Sequence, residues 1–191
     1  QVLVHQQVGG RLLIGIGETR DERLQSLLLL RDLHREFGHL QELIIQNFVP
    51  KQGTLMRDHA ACSLDDLVET ILLARSILPA DVHLQAPPNL VDDPGLLLDA
   101  GIDDFGGISP ITADHVNPER PWPHVDDLRA IVEARGLALA PRLTVYPEYA
   151  REPGRWLDPA VRFAVLDRSD AESFGRDDPG AMFPERHEAA A

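Results

Sequence analysis

The chain has 191 residues, with 18 Lys and Arg against 31 Asp and Glu, a formal net charge of −13. That length predicts one main domain, and an acidic chain without a basic run excludes a nucleic-acid or anionic-membrane footprint, leaving small molecules as the expected partners. Cys62 is the sole cysteine, which excludes an internal disulfide and any Cys-rich zinc or iron–sulfur site supplied by this chain alone. No apolar stretch reaches the roughly 20 residues needed to span a bilayer, and none has the pattern of a signal peptide, so the expected location is the cytoplasm. Lys51 is the only lysine beside many arginines, which we read as coding bias.

In chain order, residues 1–10 are ambiguous. Val2, Leu3 and Val4 could be strand, but Gln1 does not look like a natural start, and the chain is expected to begin mid-fold. The run Arg11-Leu12-Leu13-Ile14-Gly15-Ile16-Gly17-Glu18-Thr19 reads as strand, tight turn and helix start. Its two glycines let the backbone turn or approach a ligand, and Thr19 with Glu22 has capping-box spacing. A helix over 20–37 follows, with Leu24, Leu27, Leu28 and Leu30 as its core stripe and Gly38 as its terminator. The strand over 40–48 contains Leu43, Ile44 and Ile45, a continuous apolar run of the kind found in parallel strands covered on both faces.

A loop over 49–62 leads to a second helix with Ser63 as N-cap and Asp66 at the third position, ended by Pro79. Further pieces are a short strand over 81–86, a helix over 94–100 closed by Gly101, and a strand over 102–108 broken by Gly106-Gly107. After the loop 109–122 come a helix over 125–134, an extended piece over 137–146 and a helix near 159–166. Alternating strands and helices with short connections imply an α/β fold with parallel strands. A doubly wound sheet would use Gly15-x-Gly17 as a dinucleotide fingerprint, but Arg20 occupies the third glycine position and Asn47, not an acid, ends the next strand. A (β/α) barrel fits better, because Glu18, Asn47, Gln85 with Asn89, and Ser109 gather at successive strand ends, where barrel enzymes build their sites.

Residues 12–19 resemble the strand motif of radical S-adenosylmethionine enzymes. The resemblance sharpens in Glu42-Leu43-Ile44-Ile45-Gln46-Asn47-Phe48, in Asp103-Asp104-Phe105-Gly106-Gly107-Ile108-Ser109-Pro110, and in Thr112-Ala113-Asp114-His115-Val116-Asn117-Pro118-Glu119-Arg120-Pro121-Trp122-Pro123. These are similar to 7,8-didemethyl-8-hydroxy-5-deazariboflavin (FO) synthases, specifically their cyclising half, over about 12–178. The resemblance implies a radical-SAM TIM-type (β/α) barrel, present here as its C-terminal part over 1–146 and incomplete, with 147–191 as an extension or linker. It implies a [4Fe-4S] cluster on a Cys-x3-Cys-x2-Cys motif that reduces S-adenosyl-L-methionine to a radical. That radical takes hydrogen from a tyrosine–diaminouracil adduct, which cyclises with loss of ammonia, a lyase reaction. It also implies a sister radical-SAM half, fused or separate. Leu13, Gly15, Ile16, Gly17 and Glu18 would then cradle S-adenosylmethionine.

The departures are equally informative. One cysteine cannot supply three thiolates, so the cluster is not bindable by this chain alone and its cysteines are expected upstream. Arg11 stands where the family has a small residue, residues 1–10 do not match the expected strand, and Gln52 and Leu55 depart from the usual loop. The chain is thus expected to be inactive alone and, with barrel edges uncovered, poorly soluble or partly ordered.

The candidate substrate contacts are Asn47, Gln85, Asn89, Asp103, Asp104 and Ser109. Each has a plainer reading: Gly15 and Gly17 as turn glycines, Glu18 as a helix-end charge, Asn47 as a loop cap, and one of Asp103 and Asp104 as a turn cap. His115 reads as a loop residue and Cys62 as an ordinary thiol. Two other readings are an unrelated barrel enzyme holding a phosphorylated metabolite at the Gly15–Gly17 turn, and a non-catalytic product of a truncated gene.

Overall fold

The computed structural model describes residues 8–108 and 114–176. The chain divides into two compact units, Gln1–Leu139 and Ala140–Ala191. In the first, three parallel strands, β1 (Val8–Ile14), β2 (Leu40–Asn47) and β3 (His83–Gln85), lie side by side in chain order. Two helices connect them, α1 (Arg20–Phe37) and α2 (Leu64–Ile77). A 3-10 turn (Pro88–Leu90), α3 (Gly95–Ala100) and α4 (Val125–Glu133) follow. No helix among the described residues is long and apolar enough to cross a membrane.

The helix ends follow from their local chemistry. Thr19 Oγ1 accepts from Glu22 N–H at 3.2 Å while Glu22 Oε2 accepts from Thr19 N–H at 2.7 Å, the reciprocal capping box. Gly38 takes a left-handed φ of 62° and donates its N–H to His34 O, closing α1. Ser63 Oγ caps α2 through Asp66 N–H at 3.1 Å.

The sheet has one covered and one open face. Leu43, Ile45 and Leu84 pack with Ile14, Leu27, Leu67, Ile71 and Leu97 in a single core. Along β2, burial alternates, with Gln41, Leu43, Ile45 and Asn47 buried and Glu42, Ile44 and Gln46 only partly so. The register pairs Arg11 with Ile44, Leu13 with Gln46 and Ile44 with Gln85, so these residues share the open face.

Three expectations need correction. The apolar run Leu43-Ile44-Ile45 does not mark a strand covered on both faces: Ile44 stays half-buried on the open side. The stretch 102–108 is not a strand beyond one parallel bridge from Asp104 to Gln85, because Asp104 Oδ1 takes the Gly106 N–H and Gly106 turns the chain at φ 79°. The buried stripe of α1 is Arg23, Leu27 and His34, with Leu24, Leu28 and Leu30 half-buried.

The second unit carries α5 (Pro147–Ala150), α6 (Pro153–Trp156) and α7 (Pro159–Arg168). The piece 137–146 forms no strand. Val145, Tyr146, Tyr149, Ala150 and Leu157 form this unit's own small core, with Tyr149 edge-on to Trp156 at 5.2 Å.

Candidate functional site

The turn after β1 is closed by its own carboxylate. Glu18 Oε1 accepts from Gly15 N–H at 2.7 Å and Oε2 from Ile16 N–H at 2.9 Å, and Arg23 Nε donates to Oε1 at 2.7 Å. Burial works to raise the Glu18 carboxyl, but the bonds from the Gly15 N–H, its own N–H, Arg23 and the Ile16 N–H outweigh it and hold the group below the usual carboxylate range. The Arg23 guanidinium, buried, also reaches Asp66 Oδ1 at 3.1 Å and Thr70 Oγ1 at 3.3 Å, which ties the start of α1 to the start of α2. Two of the N–H groups that a phosphate would need at this turn are therefore already occupied.

The two turn glycines have different reasons. Gly15 has φ 84°, and a Cβ there would stand 2.5 Å from the Cys62 Cβ, so the 49–62 loop lies directly on it. Gly17 has φ 116° and open space where its Cβ would be. Leu13 and Ile16, 39% and 43% exposed, present apolar surface on either side of Gly15.

A cavity of about 210 Å³ opens on the uncovered face of the sheet. Arg11, Ile44, Gln46 and Gln85 come from the three strands, Pro87, Asn89 and Leu90 from the turn after β3, and Phe105, Gly107, Asp114, Asn117 and Trp122 from the segments that follow. Gln85 fits because Gly106 has no side chain, since a Cβ there would collide with the Gln85 carboxamide. The Arg11 side chain makes no ion pair or hydrogen bond to the other described residues.

Asp114, 9% exposed, is the polar centre of this wall. It accepts from Asn89 Nδ2 at 2.9 Å, Asn117 Nδ2 at 2.8 Å, Val116 N–H at 2.8 Å and Asn117 N–H at 3.1 Å. Burial raises its carboxyl, but these four donors prevail and bring it down to about 2. The loop bearing it is fastened further by Lys51 to Glu119 and by Arg120 to Asp92 at 2.9 Å.

Of the residues singled out in the sequence, the structure brings Gln85 and Asn89 to the cavity. Asn47 lies on the covered face, where its Nδ2 donates to Leu90 O at 3.2 Å and holds the turn after β3. Asp103 Oδ1 accepts from Leu84 N–H at 2.8 Å while its Oδ2 meets His83 Nδ1 at 3.1 Å and Arg75 at 3.3 Å. Asp104 closes the Gly106 turn, Ser109 lies outside the described residues, and His115 is solvent-exposed. Arg11, Gln46, Asp114 and Asn117 were not singled out as contacts. For Gln46 the available signal was parity with Ile44, one residue from Asn47.

Cys62 is half-buried, and burial together with Asp66 pushes its thiol up. Among the described residues no group of three or more His, Cys, Asp and Glu side chains is arranged to hold a metal ion. A [4Fe-4S] cluster does not fit the donors of this chain, which has one cysteine.

No family model matches the chain. It is 52% identical over 163 residues to the FO synthase of Streptomyces coelicolor, covering 85% of this chain and 19% of that protein. It is 49% identical over 161 residues to the FO synthase of Nocardia farcinica, covering 83% and 19%. To the 7,8-didemethyl-8-hydroxy-5-deazariboflavin synthase of Methanoculleus marisnigri it is 51% identical over 154 residues, covering 79% and 45%. The chain spans about a fifth of the length of the FO synthases it matches and just under half of that shorter relative. It is a homologue of the FO synthases, matched over one segment of their length.

Proposed function

We propose that this chain forms the substrate-facing part of an enzyme that makes the deazaflavin chromophore FO. The carrying observation is that the stretch bearing the most specific resemblance, 103–123, supplies Phe105, Gly107, Asp114, Asn117 and Trp122 to the cavity wall. The substrate class is a tyrosine–diaminouracil adduct, and the reaction is hydrogen abstraction, cyclisation and loss of ammonia.

Parallel strands in chain order, with helices packed on one face, support reading 1–146 as part of a (β/α) barrel whose further strands lie in the remaining length of the relatives. Residues 147–191 are then an extension, and a sister half, fused or separate, is the expected partner. S-adenosylmethionine, when bound, supplies the hydrogen-abstracting radical in this family. Leu13, Ile16 and the open backbone at Gly17 fit its apolar and adenosyl parts, with Gly15 and Glu18 fixing the turn's shape. The thiolates for the cluster must come from outside this sequence.

In the cavity, this chain's own groups bind and orient. Arg11, whose side chain has no ion-pair partner among the described residues, offers a cation to ligand carbonyl or carboxylate oxygens, Gln46 and Gln85 offer carboxamides, and Trp122 and Phe105 add apolar wall. The test is titration of FO into the folded 191-residue chain and its Arg11→Ala variant, followed by the ligand's fluorescence. Saturable binding that weakens in the variant is expected. A cooperatively folded chain that leaves FO unbound would overturn the reading.

A further inference from the structure

We propose that Arg11 makes this cavity selective for FO ionised at its 8-hydroxyl, with the guanidinium holding the oxyanion of the ligand's hydroxyarene ring. This rests on the FO reading and adds which end of the ligand enters the cavity and in which charge state.

Two charged side chains line the cavity, Arg11 and Asp114, and only the second is already occupied. The register sets Arg11 in one row with Ile44 and Gln85, and its side chain has no ion-pair or hydrogen-bond partner among the described residues. The acids on this side of the sheet are committed elsewhere. Glu42 lies over Gly9, Asp103 meets His83 and Arg75, and Asp104 takes the Gly106 N–H. Four donors fill both oxygens of Asp114, and Glu119 beside it pairs with Lys51. A guanidinium stays charged at any pH the fold tolerates and can only donate, so its complement is an anion.

The wall around Arg11 fits one end of the ligand. At about 210 Å³ the cavity is smaller than the roughly 300–1,000 Å³ of whole-ligand pockets, so it takes part of such a molecule. Ile44, Leu90, Phe105 and Trp122 give it apolar surface, and the carboxamides of Gln46 and Gln85 add N–H donors to those of Arg11. A flat ring whose one polar atom is an oxygen at its rim complements that combination. The relatives' printed name places a hydroxyl at position 8 of a deazariboflavin. Conjugation through the fused rings to the pyrimidinedione carbonyls makes this hydroxyl a vinylogous acid, so it gives up its proton far more readily than a tyrosine hydroxyl, which ionises near about 10. The phenol of the uncyclised adduct lacks that conjugation. The charge that Arg11 complements therefore arises as the ring system forms, and Arg11 grips the cyclised product more tightly than the adduct.

The experiment follows two probes on the unmodified 191-residue chain by fluorescence and absorbance from roughly pH 5 to pH 9: FO, and its 8-methoxy analogue, which cannot ionise. We expect FO to bind at least about tenfold more tightly above its own ionisation than below it. Its ionised absorption band should accordingly persist to lower pH when bound than when free. The methoxy analogue should bind alike across the range. In Arg11→Gln, verified as folded by its thermal melt, the preference should fall to about one, and contributions from His83 and His115, common to both chains, cancel in the comparison. The methoxy comparison needs no variant and decides by itself if Arg11→Gln does not fold. If FO binds equally on both sides of its ionisation, if bound FO loses its ionised band at a higher pH than free FO, or if Arg11→Gln weakens both forms alike, this inference is overturned while the FO reading stands. No binding of FO by the folded chain overturns both.

Discussion

Gly15 and Cys62 lie backbone to backbone: a Cβ on Gly15 would stand 2.9 Å from the Cys62 Cα. The turn that resembles a ligand-binding glycine motif is thus partly a packing device, and its second glycine is different. Gly15→Ala adds a collision to the strain of a left-handed φ, and we expect a loss of about 3 kcal/mol or more. Gly17→Ala meets no atoms within 4 Å, so only backbone strain of roughly 1–2 kcal/mol applies. Urea midpoints of both variants check this ordering. Equal losses would mean that Cys62 does not rest on Gly15. A binding defect for S-adenosylmethionine in Gly17→Ala, beyond its stability loss, would support the proposed cradle.

Gly106 holds a site residue by being small. With φ 79° and the Gln85 carboxamide over its Cα, Gly106→Ala must displace Gln85 from the cavity wall. We expect weakened FO binding together with a stability loss of about 1–3 kcal/mol. Gln85→Ala in the same background should then cost little more affinity, because the two changes act through one contact. Additive effects in that double-mutant cycle would separate the two residues.

Arg23 carries a buried charge whose partners sit on two elements. Arg23→Met leaves Glu18 and Asp66 without their cation, and we expect a loss of about 3–5 kcal/mol in chemical denaturation. Lys51→Met removes a partly exposed pair with Glu119 and should change stability by less than about 1 kcal/mol. The reverse ranking would show that the Arg23 network is solvated in solution.

Much of this frame was legible because it is local. Thr19 with Glu22, Gly38, and Ser63 with Asp66 act within four residues, and the structure puts each where spacing predicts. Arg23 and His34 were missed on the buried face of α1 because charge reads as outside unless its partner is known, and for Arg23 that partner includes Asp66, 43 residues on. Asn47 stood out as the polar residue at the strand's end and Gln46 did not, because an unbroken apolar run hides which side each residue takes. Only the register of β1 and β2 separates them. The Asp114 cluster was legible as a family resemblance but not as a site, since its key contact with Asn89 spans 25 residues.

That contact also predicts how stability responds to acid. The Asp114 carboxyl falls from an ordinary 3.8 to about 2 in the folded chain. A lowered folded value means stability that is fully present above the unfolded value and is lost as pH falls from about 4 toward 2. The shift corresponds to on the order of 1–2 kcal/mol once screening through the open cavity is allowed for. Asp114→Asn keeps the shape but cannot ionise, and its amide can no longer accept from every donor around it, so it should be clearly less stable than the parent at pH 6. The gap should narrow measurably between pH 4 and pH 2.5, because protonation takes from the parent what the substitution has already removed. Paired denaturant titrations across that range measure it. A gap that stays constant with pH would mean that Asp114 is not held ionised by Asn89 and Asn117.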